Sequence, residues 1–305
     1  MRRRAGIRLF PAGSEAGQAA PGLYGRRQAG AGMNKAWGRL ALSWQRGPLR
    51  SGNGLRIIAH RGFRAAYPEN TKSAFFASLG RSHMVELDVR LSLDNAVVVF
   101  HDDRLSRCSN AAVIGPKLGL ADDRVANWRL SDLRLLDLGG WFGAPGLPAG
   151  PERLPTLAEV LAWARRCRMP LNVELKDQGE VRKNALLVQK SVQQIVAAGC
   201  TELVLFSSFC LDMLRQALAL APFISRALLY GGPPPPDLPE LLAALGAWAC
   251  HPEQHDVDAA LVQRLHAEGR AVHVWTVNER RDWQRLAALG ADGVITDCPA
   301  LDARC

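Results

Sequence analysis

Four short stretches of this 305-residue chain place chemically capable side chains at spacings that let them act together. His60 is followed by Arg61 and Gly62, Glu86 and Asp88 lie two apart, His101 is followed by Asp102, and Glu174 and Lys176 again lie two apart. A spacing of two puts both side chains on one face of a β-strand. Three carboxylates gathered in a low-dielectric site cannot all ionise without a cation, and an all-oxygen donor set suits one divalent ion such as Mg2+, Ca2+ or Mn2+ better than zinc. Arg61 and Lys176 offer fixed positive charge to an anion, the guanidinium having the planar fork that fits a phosphate. Two histidines suit removal of a proton from a nucleophile and delivery of one to a leaving oxygen near neutral pH. A metal, two fixed cations and a pair of imidazoles together describe phosphodiester cleavage.

These groups act together only if the fold carries them to one place. From Leu55 onward, short Val-, Ile- and Leu-rich runs alternate with helical stretches that often end in Gly. The pattern predicts strands over 57–60, 84–89, 97–101, 171–175, 203–207, 227–230, 247–250, 272–277 and 294–296. It predicts helices over 71–79, 156–166, 182–198, 211–220, 238–245, 259–267 and 280–289. Such alternation implies a mostly parallel sheet closed into an α/β (β/α)8 TIM barrel, whose chemistry sits at the carboxyl ends of the strands. Nine strands are one too many. Only eight residues separate Asp88 from Val97, too few for a helical crossover, so 91–98 is expected to form a hairpin-like excursion around Asp94-Asn95. The connection from Asp102 to Pro155 is long and carries one helical signal, 131–138. It is expected to form a small insertion after the third strand-like segment.

The net charge of +9 invites a nucleic-acid or membrane-surface reading. All of it falls in residues 1–54, which hold ten Arg/Lys and one acid, Glu15. Residues 55–305 are balanced at 28 basic and 28 acidic residues, large enough for a sizeable core. The basic segment lacks apolar periodicity and reads as a disordered extension preceding a barrel over 55–305. It has no secretory apolar core, and its transit-peptide flavour is weakened by few Ser and no clear amphipathic helix. A downstream start at Met33 is an alternative. No apolar run is long enough for a membrane span. The seven cysteines lack C-x-x-C spacing and read as reduced thiols of a cytoplasmic protein.

Several motifs occur in order: IIAHRG, PENT with Ala74-Phe75, ELDVRLSLD, VVVFHDDRLSR, LPTLAEVL, LNVELK, LFSSF, VWTVNE and GVITDCP. This series resembles the glycerophosphodiester phosphodiesterase family of the phospholipase-C-like barrel superfamily, from about Ile57 to Pro299, with the compact cytosolic bacterial members as the nearest likeness. The resemblance implies that His60 and His101 are the acid/base pair. It makes Glu86, Asp88 and Glu174 ligands of one divalent cation, and Arg61 and Lys176 phosphate contacts. Trp275 matches an aromatic position lining the glycerol side, and Trp141 and Phe142 fall in a region that forms an insertion over the mouth. The implied reaction is attack of a free glycerol hydroxyl on phosphorus, expulsion of an alcohol, and opening of the cyclic phosphate by water to give glycerol 3-phosphate. The implied partner is a small-molecule glycerophosphodiester.

Competing readings accompany each residue. Glu86 or Glu174 could be half of a buried ion pair with Lys176 or Arg90. Asp102 and Asp103 read as loop and cap residues, Glu69 and Asn70 as loop-positioning and helix-capping residues, and Thr296 and Asp297 as structural. Glu69 keeps a chance of contact behind the metal site. His251 and His255 are placed after the seventh strand, with a second metal site disfavoured for want of carboxylates. Phe206, Ser207 and Ser208 could line a leaving-group pocket. Lysophospholipase D-type or cyclic or inositol phosphodiester cleavage on the same barrel is the enzyme alternative. A basic-tail binder of surfaces or nucleic acid is the non-enzyme alternative, and the lack of a basic stripe on the barrel speaks against it.

Overall fold

The computed structural model describes residues 54–143 and 150–300. The expectation for the basic extension therefore lies outside the described residues, apart from Gly54. Nine strands form one sheet: β1 (Arg56–Ala59), β2 (Met84–Leu91), β3 (Val97–Val99), β4 (Leu171–Leu175), β5 (Val204–Ser208), β6 (Ser225–Tyr230), β7 (Ala249–Pro252), β8 (Ala271–Val274) and β9 (Gly293–Thr296). Eight of them are parallel, and pairing of β1 with both β2 and β9 closes the barrel. The ninth, β3, folds back antiparallel on β2 with Val89 opposite Val99. That is the expected hairpin, with Asn95 at its turn in the left-handed region.

Alternation along each strand divides the core. Outward residues such as Leu87, Val89, Val173 and Leu175 pack beneath the helices, which include α4 (Leu157–Cys167) and α5 (Val181–Ala197). Ile58, Met84, Leu205, Ala227, Ala249 and Ile295 form a separate small cluster within the barrel. Met84 has the same parity on β2 as Glu86 and Asp88, so both carboxylates point inward above this apolar floor. Helix α1 (Lys72–Ala77) is capped by Thr71, whose hydroxyl accepts from the Ala74 amide. Helix α4 starts with a reciprocal capping box between Thr156 and Glu159.

The insertion departs from the sequence expectation. It has its own core, in which Trp128, Leu105, Leu133, Leu136 and Leu138 are buried. Helix α2 (Ala111–Lys117) was not anticipated because Gly115-Pro116 reads as a helix stop. The expected helix over 131–138 is only α3 (Leu130–Leu133). Beyond it the backbone turns, and Asn110 Oδ1 accepts from the Asp137 amide. Trp141 and Phe142 pack edge to face at 5.6 Å. The cysteine expectation needs correction too: five described cysteines are free, but Cys298 is disulfide-bonded. No helix among the described residues is long and apolar enough to cross a membrane.

His251 lies within β7 rather than after it, and its imidazole meets that of His273 at 3.2 Å inside the barrel. Both rings are fully buried. Burial holds His251 down at about 3 and His273 well below the usual histidine range. Both are neutral in the folded protein yet protonate near pH 6.5 when unfolded, so stability is complete above that pH and falls as the medium is acidified. For His251 the expected loss is about 1.4 kcal/mol per pH unit below roughly 6.5, continuing towards its folded value. Denaturant unfolding between pH 7 and pH 5 should show a shallower slope in His251→Gln than in the unsubstituted protein. Identical slopes would refute this assignment.

Candidate active site

At the mouth of the barrel, β2 and β4 run in register with Asp88 opposite Glu174. Glu86, Asp88 and Glu174 each offer a carboxylate oxygen, and these oxygens all lie within 4.8 Å of one another. Lys176 Nζ contacts Glu174 Oε1 at 2.6 Å and Asp88 Oδ1 at 3.4 Å. Burial, reinforced by Asp88 and Glu174, pushes the Glu86 carboxyl well above its ordinary range. Burial would raise Asp88 as well, but Lys176, His101 and Arg61 together with the Asn70 hydrogen bond hold it well below. Oε1 of buried Glu86 has no hydrogen-bond partner. An orphaned carboxylate oxygen among three converging carboxylates fits a divalent cation. The ion pair of Glu174 with Lys176 is thus present as well, within the same cluster.

The first βα turn supplies the next groups. Arg61 has φ +56° and Gly62 φ +79°. A Cβ on Gly62 would lie 2.7 Å from the Ala74 backbone, so glycine is required there. The left-handed turn lets the Arg61 amide donate to Glu86 Oε2 at 2.7 Å while its guanidinium reaches Asp88 at 3.4 Å and Glu69 at 2.7 Å. Strain of this kind, of order 1–3 kcal/mol, gathers where surrounding contacts over-determine the backbone.

Each histidine is backed by a carboxylate. His60 Nδ1 lies 2.6 Å from Asp297 Oδ1, and His101 Nδ1 lies 2.6 Å from Asp102 Oδ1. Despite burial, hydrogen bonds and nearby cations hold both carboxyls ionised, Asp297 at about 2 and Asp102 well below its ordinary value. An ionised carboxylate only accepts, so each Nδ1 carries the proton and each neutral ring keeps its lone pair on Nε2. Burial, aided by Arg61 and Arg64, lowers His60 and favours its neutral form even against Asp297.

The structure gathers Glu86, Asp88, Glu174, Lys176 and Arg61 into one contact network, with His60 preceding Arg61 and His101 near enough to Asp88 to help hold its carboxyl down. Trp275 follows β8 by one residue, donates through Nε1 to the His251 carbonyl, and meets Phe209 edge to face at 5.6 Å. Phe209 was missed by the sequence reading; Ser207 and Ser208 are buried on β5. Also missed was the role of Asn70, which donates to Asp88 Oδ2 at 2.8 Å instead of capping a helix. Glu69 contacts Arg61, Arg64 and Arg107 rather than the carboxylate trio. Asp102 and Asp297 anchor the histidines, correcting their reading as loop and structural residues. Beside this mouth, a cavity of about 420 Å³ is lined by Arg90, Asp103, Arg124, Asp177 and Glu180 among others, with Arg90 Nε bound to the His101 carbonyl at 2.8 Å.

Comparison with known proteins gives a consistent result. The profile of the glycerophosphoryl diester phosphodiesterase family matches residues 60–301. A glycerophosphodiester phosphodiesterase of Caldanaerobacter subterraneus subsp. tengcongensis is 32% identical over 245 residues, covering 80% of this chain and 94% of its own. One from Bacillus altitudinis is 31% identical over 249 residues, covering 80% and 95%. Among solved structures, an Oleispira antarctica phosphodiesterase in complex with the product sn-glycerol-3-phosphate superposes with a TM-score of 0.71 at 31% identity, covering 80% of this chain and 94% of that one.

Proposed function

The chain belongs to the glycerophosphoryl diester phosphodiesterase family, and from that premise we propose that it hydrolyses glycerophosphodiesters to glycerol 3-phosphate and an alcohol at the barrel mouth. The observation that carries this reading is the carboxylate trio flanked by two histidines, each held by its own carboxylate. His60, kept neutral, takes the proton from the attacking glycerol hydroxyl. His101, oriented by Asp102, gives a proton to the departing alcohol, and the two exchange tasks when water opens the cyclic phosphate. Arg61 and Lys176 orient the phosphate and balance its charge. Glu86, Asp88 and Glu174 would hold Mg2+, Ca2+ or Mn2+, which when bound supplies charge to the anionic oxygens and acidifies a hydroxyl. Trp275 with Phe209 forms an aromatic wall for the glycerol carbons.

The charged lining of the neighbouring cavity, beside His101, suits a small polar head group better than an acyl chain. This favours water-soluble glycerophosphodiesters over lysophospholipids and a cytoplasmic setting in which such solutes are met. The test is incubation of the full chain with glycerophosphocholine and each divalent ion, reading glycerol 3-phosphate by a coupled assay. Turnover is expected with at least one ion and is expected to exceed that of lysophosphatidylcholine. Absence of turnover with every ion overturns the reading, and preference for lysophosphatidylcholine redirects it to lipid substrates.

A further inference from the structure

We propose that Arg107 is a positioning residue that locks the phosphate-binding Arg61 and the acid/base group His101 into one arrangement. Two carboxylates share its guanidinium. On one side Nη1 and Nη2 reach the two oxygens of Glu69 at 3.0 and 2.7 Å. On the other side Nε and Nη2 reach the two oxygens of Asp102 at 2.5 and 3.1 Å. Glu69 accepts in turn from Arg61 Nη1 at 2.7 Å, and Asp102 from His101 Nδ1 at 2.6 Å. The result is an unbroken chain of charge-assisted bonds, Arg61–Glu69–Arg107–Asp102–His101, running from the first βα turn to the end of the β2–β3 hairpin.

The bonding geometry suits this task. Bidentate guanidinium–carboxylate contacts fix the plane of the carboxylate as well as its distance. With both oxygens of Asp102 held, the direction of the lone pair that receives His101 Nδ1–H is fixed, and so is the plane of the ring. Glu69 is buried, and burial would raise its carboxyl, yet the hydrogen bonds from Arg107 and the charges of Arg61 and Arg64 hold it down at about 2. Arg107 itself is anchored by its neighbours: Leu105 and Cys108 are buried in the core of the insertion. The insertion thus does more than border the mouth, since it plants a guanidinium between two groups of the site that come from different strands. Arg107 is placed to touch neither phosphate nor cation in this scheme, so its effect passes through Glu69 and Asp102.

The inference rests on the proposed phosphodiesterase reading, and its test separates the two. Steady-state kinetics on glycerophosphocholine are compared for Arg107→Met, Arg107→Lys, Asp102→Asn and the Arg107→Met/Asp102→Asn double variant. Proton NMR follows the downfield His101 Nδ1–H signal, identified by its loss in His101→Ala. The expected result is a fall in kcat of roughly 10–100-fold in Arg107→Met with KM within a few-fold, the range common for groups that orient a site. Partial recovery is expected in Arg107→Lys, and the double variant should be no slower than the slower single one. The Nδ1–H signal should weaken in Arg107→Met through faster exchange with water. Retention of kcat within twofold in Arg107→Met, multiplying losses in the double variant, or an unchanged Nδ1–H signal each overturns the proposal. If the unsubstituted chain shows no turnover, the phosphodiesterase reading fails, while the NMR comparison in the resting protein still decides whether Arg107 orders His101. Thermal melts identify a variant that has simply unfolded, and Arg107→Lys then carries the comparison.

Discussion

His60→Ala is expected to lower kcat on glycerophosphocholine by on the order of 10³-fold, within the 10²–10⁴ range that a placed acid or base contributes, while KM changes little. The side chain is 15% exposed at the mouth and bonds to Asp297 rather than packing in an apolar core, so its loss leaves the barrel folded. Asp297→Asn should give a smaller loss. An amide can donate to Nδ1 and select the other tautomer, which removes the lone pair from Nε2. The pH profile supplies an independent readout. His60 must be neutral to accept a proton, and burial aided by Arg61 and Arg64 lowers its pKa. The acidic limb of kcat/KM should therefore lie below the ordinary histidine value of about 6.5, with activity rising as pH increases through it. Full activity in His60→Ala, or an unchanged acidic limb, would show that another group takes the proton.

The parts of this site that were legible in the sequence follow from local periodicity. Glu86 with Asp88, and Glu174, could be placed on inward faces because strand side chains alternate, and the strands obey that rule, while Lys176, one residue past β4, still reaches Glu174. The β2–β3 hairpin could be read from length alone, since no crossover helix fits between Asp88 and Val97. Barrel closure carried more than was drawn from it. Once β1 and β9 are neighbours, the register of Ala59 opposite Thr296 brings the next residues, His60 and Asp297, side by side. Asp297 has no local signature of this role, since its pairing with His60 exists only through the closure of β9 against β1.

Other contacts have no periodic signature. Arg107 and Glu69 are 38 residues apart, Arg107 on the insertion whose core fixes its path and Glu69 in the turn before α1. Asn70 has a left-handed backbone that turns its amide towards Asp88 instead of a helix terminus. Short helices such as α2 are held by tertiary burial of Ala111 and Gly115 and not by propensity, which Gly-Pro opposes. The boundary of legibility thus lies between contacts fixed by the repeat of an element and contacts fixed by where loops pack.

Glu86→Gln should separate activity from stability more sharply than any other substitution at the site. The amide keeps an oxygen to accept the Arg61 N–H, a bond of 2.7 Å in the structure, so the turn after β1 stays in place. It removes one of three mutually repelling carboxylates, one whose carboxyl burial, Asp88 and Glu174 push well above its ordinary range. Without added metal, the variant should melt at or above the unsubstituted protein, by roughly 2–4 °C for each kcal/mol of relieved repulsion. Metal-supported kcat should nevertheless fall by on the order of 10³-fold, equivalent to several kcal/mol of lost charge stabilisation. A further consequence is the loss of metal-induced stabilisation. Any ion bound only by the folded state raises Tm by an amount that grows with the logarithm of its concentration over its Kd, so the Tm increment on adding Mg2+ or Ca2+ should be clear in the unsubstituted protein and small in Glu86→Gln. Chelation should lower both activity and Tm in the former and leave the latter unmoved. An ordinary structural carboxylate would give the opposite sign, with Glu86→Gln melting lower and metal raising both proteins equally. The direction of the Tm change therefore distinguishes a cluster built for a cation from a buried ion pair with Lys176.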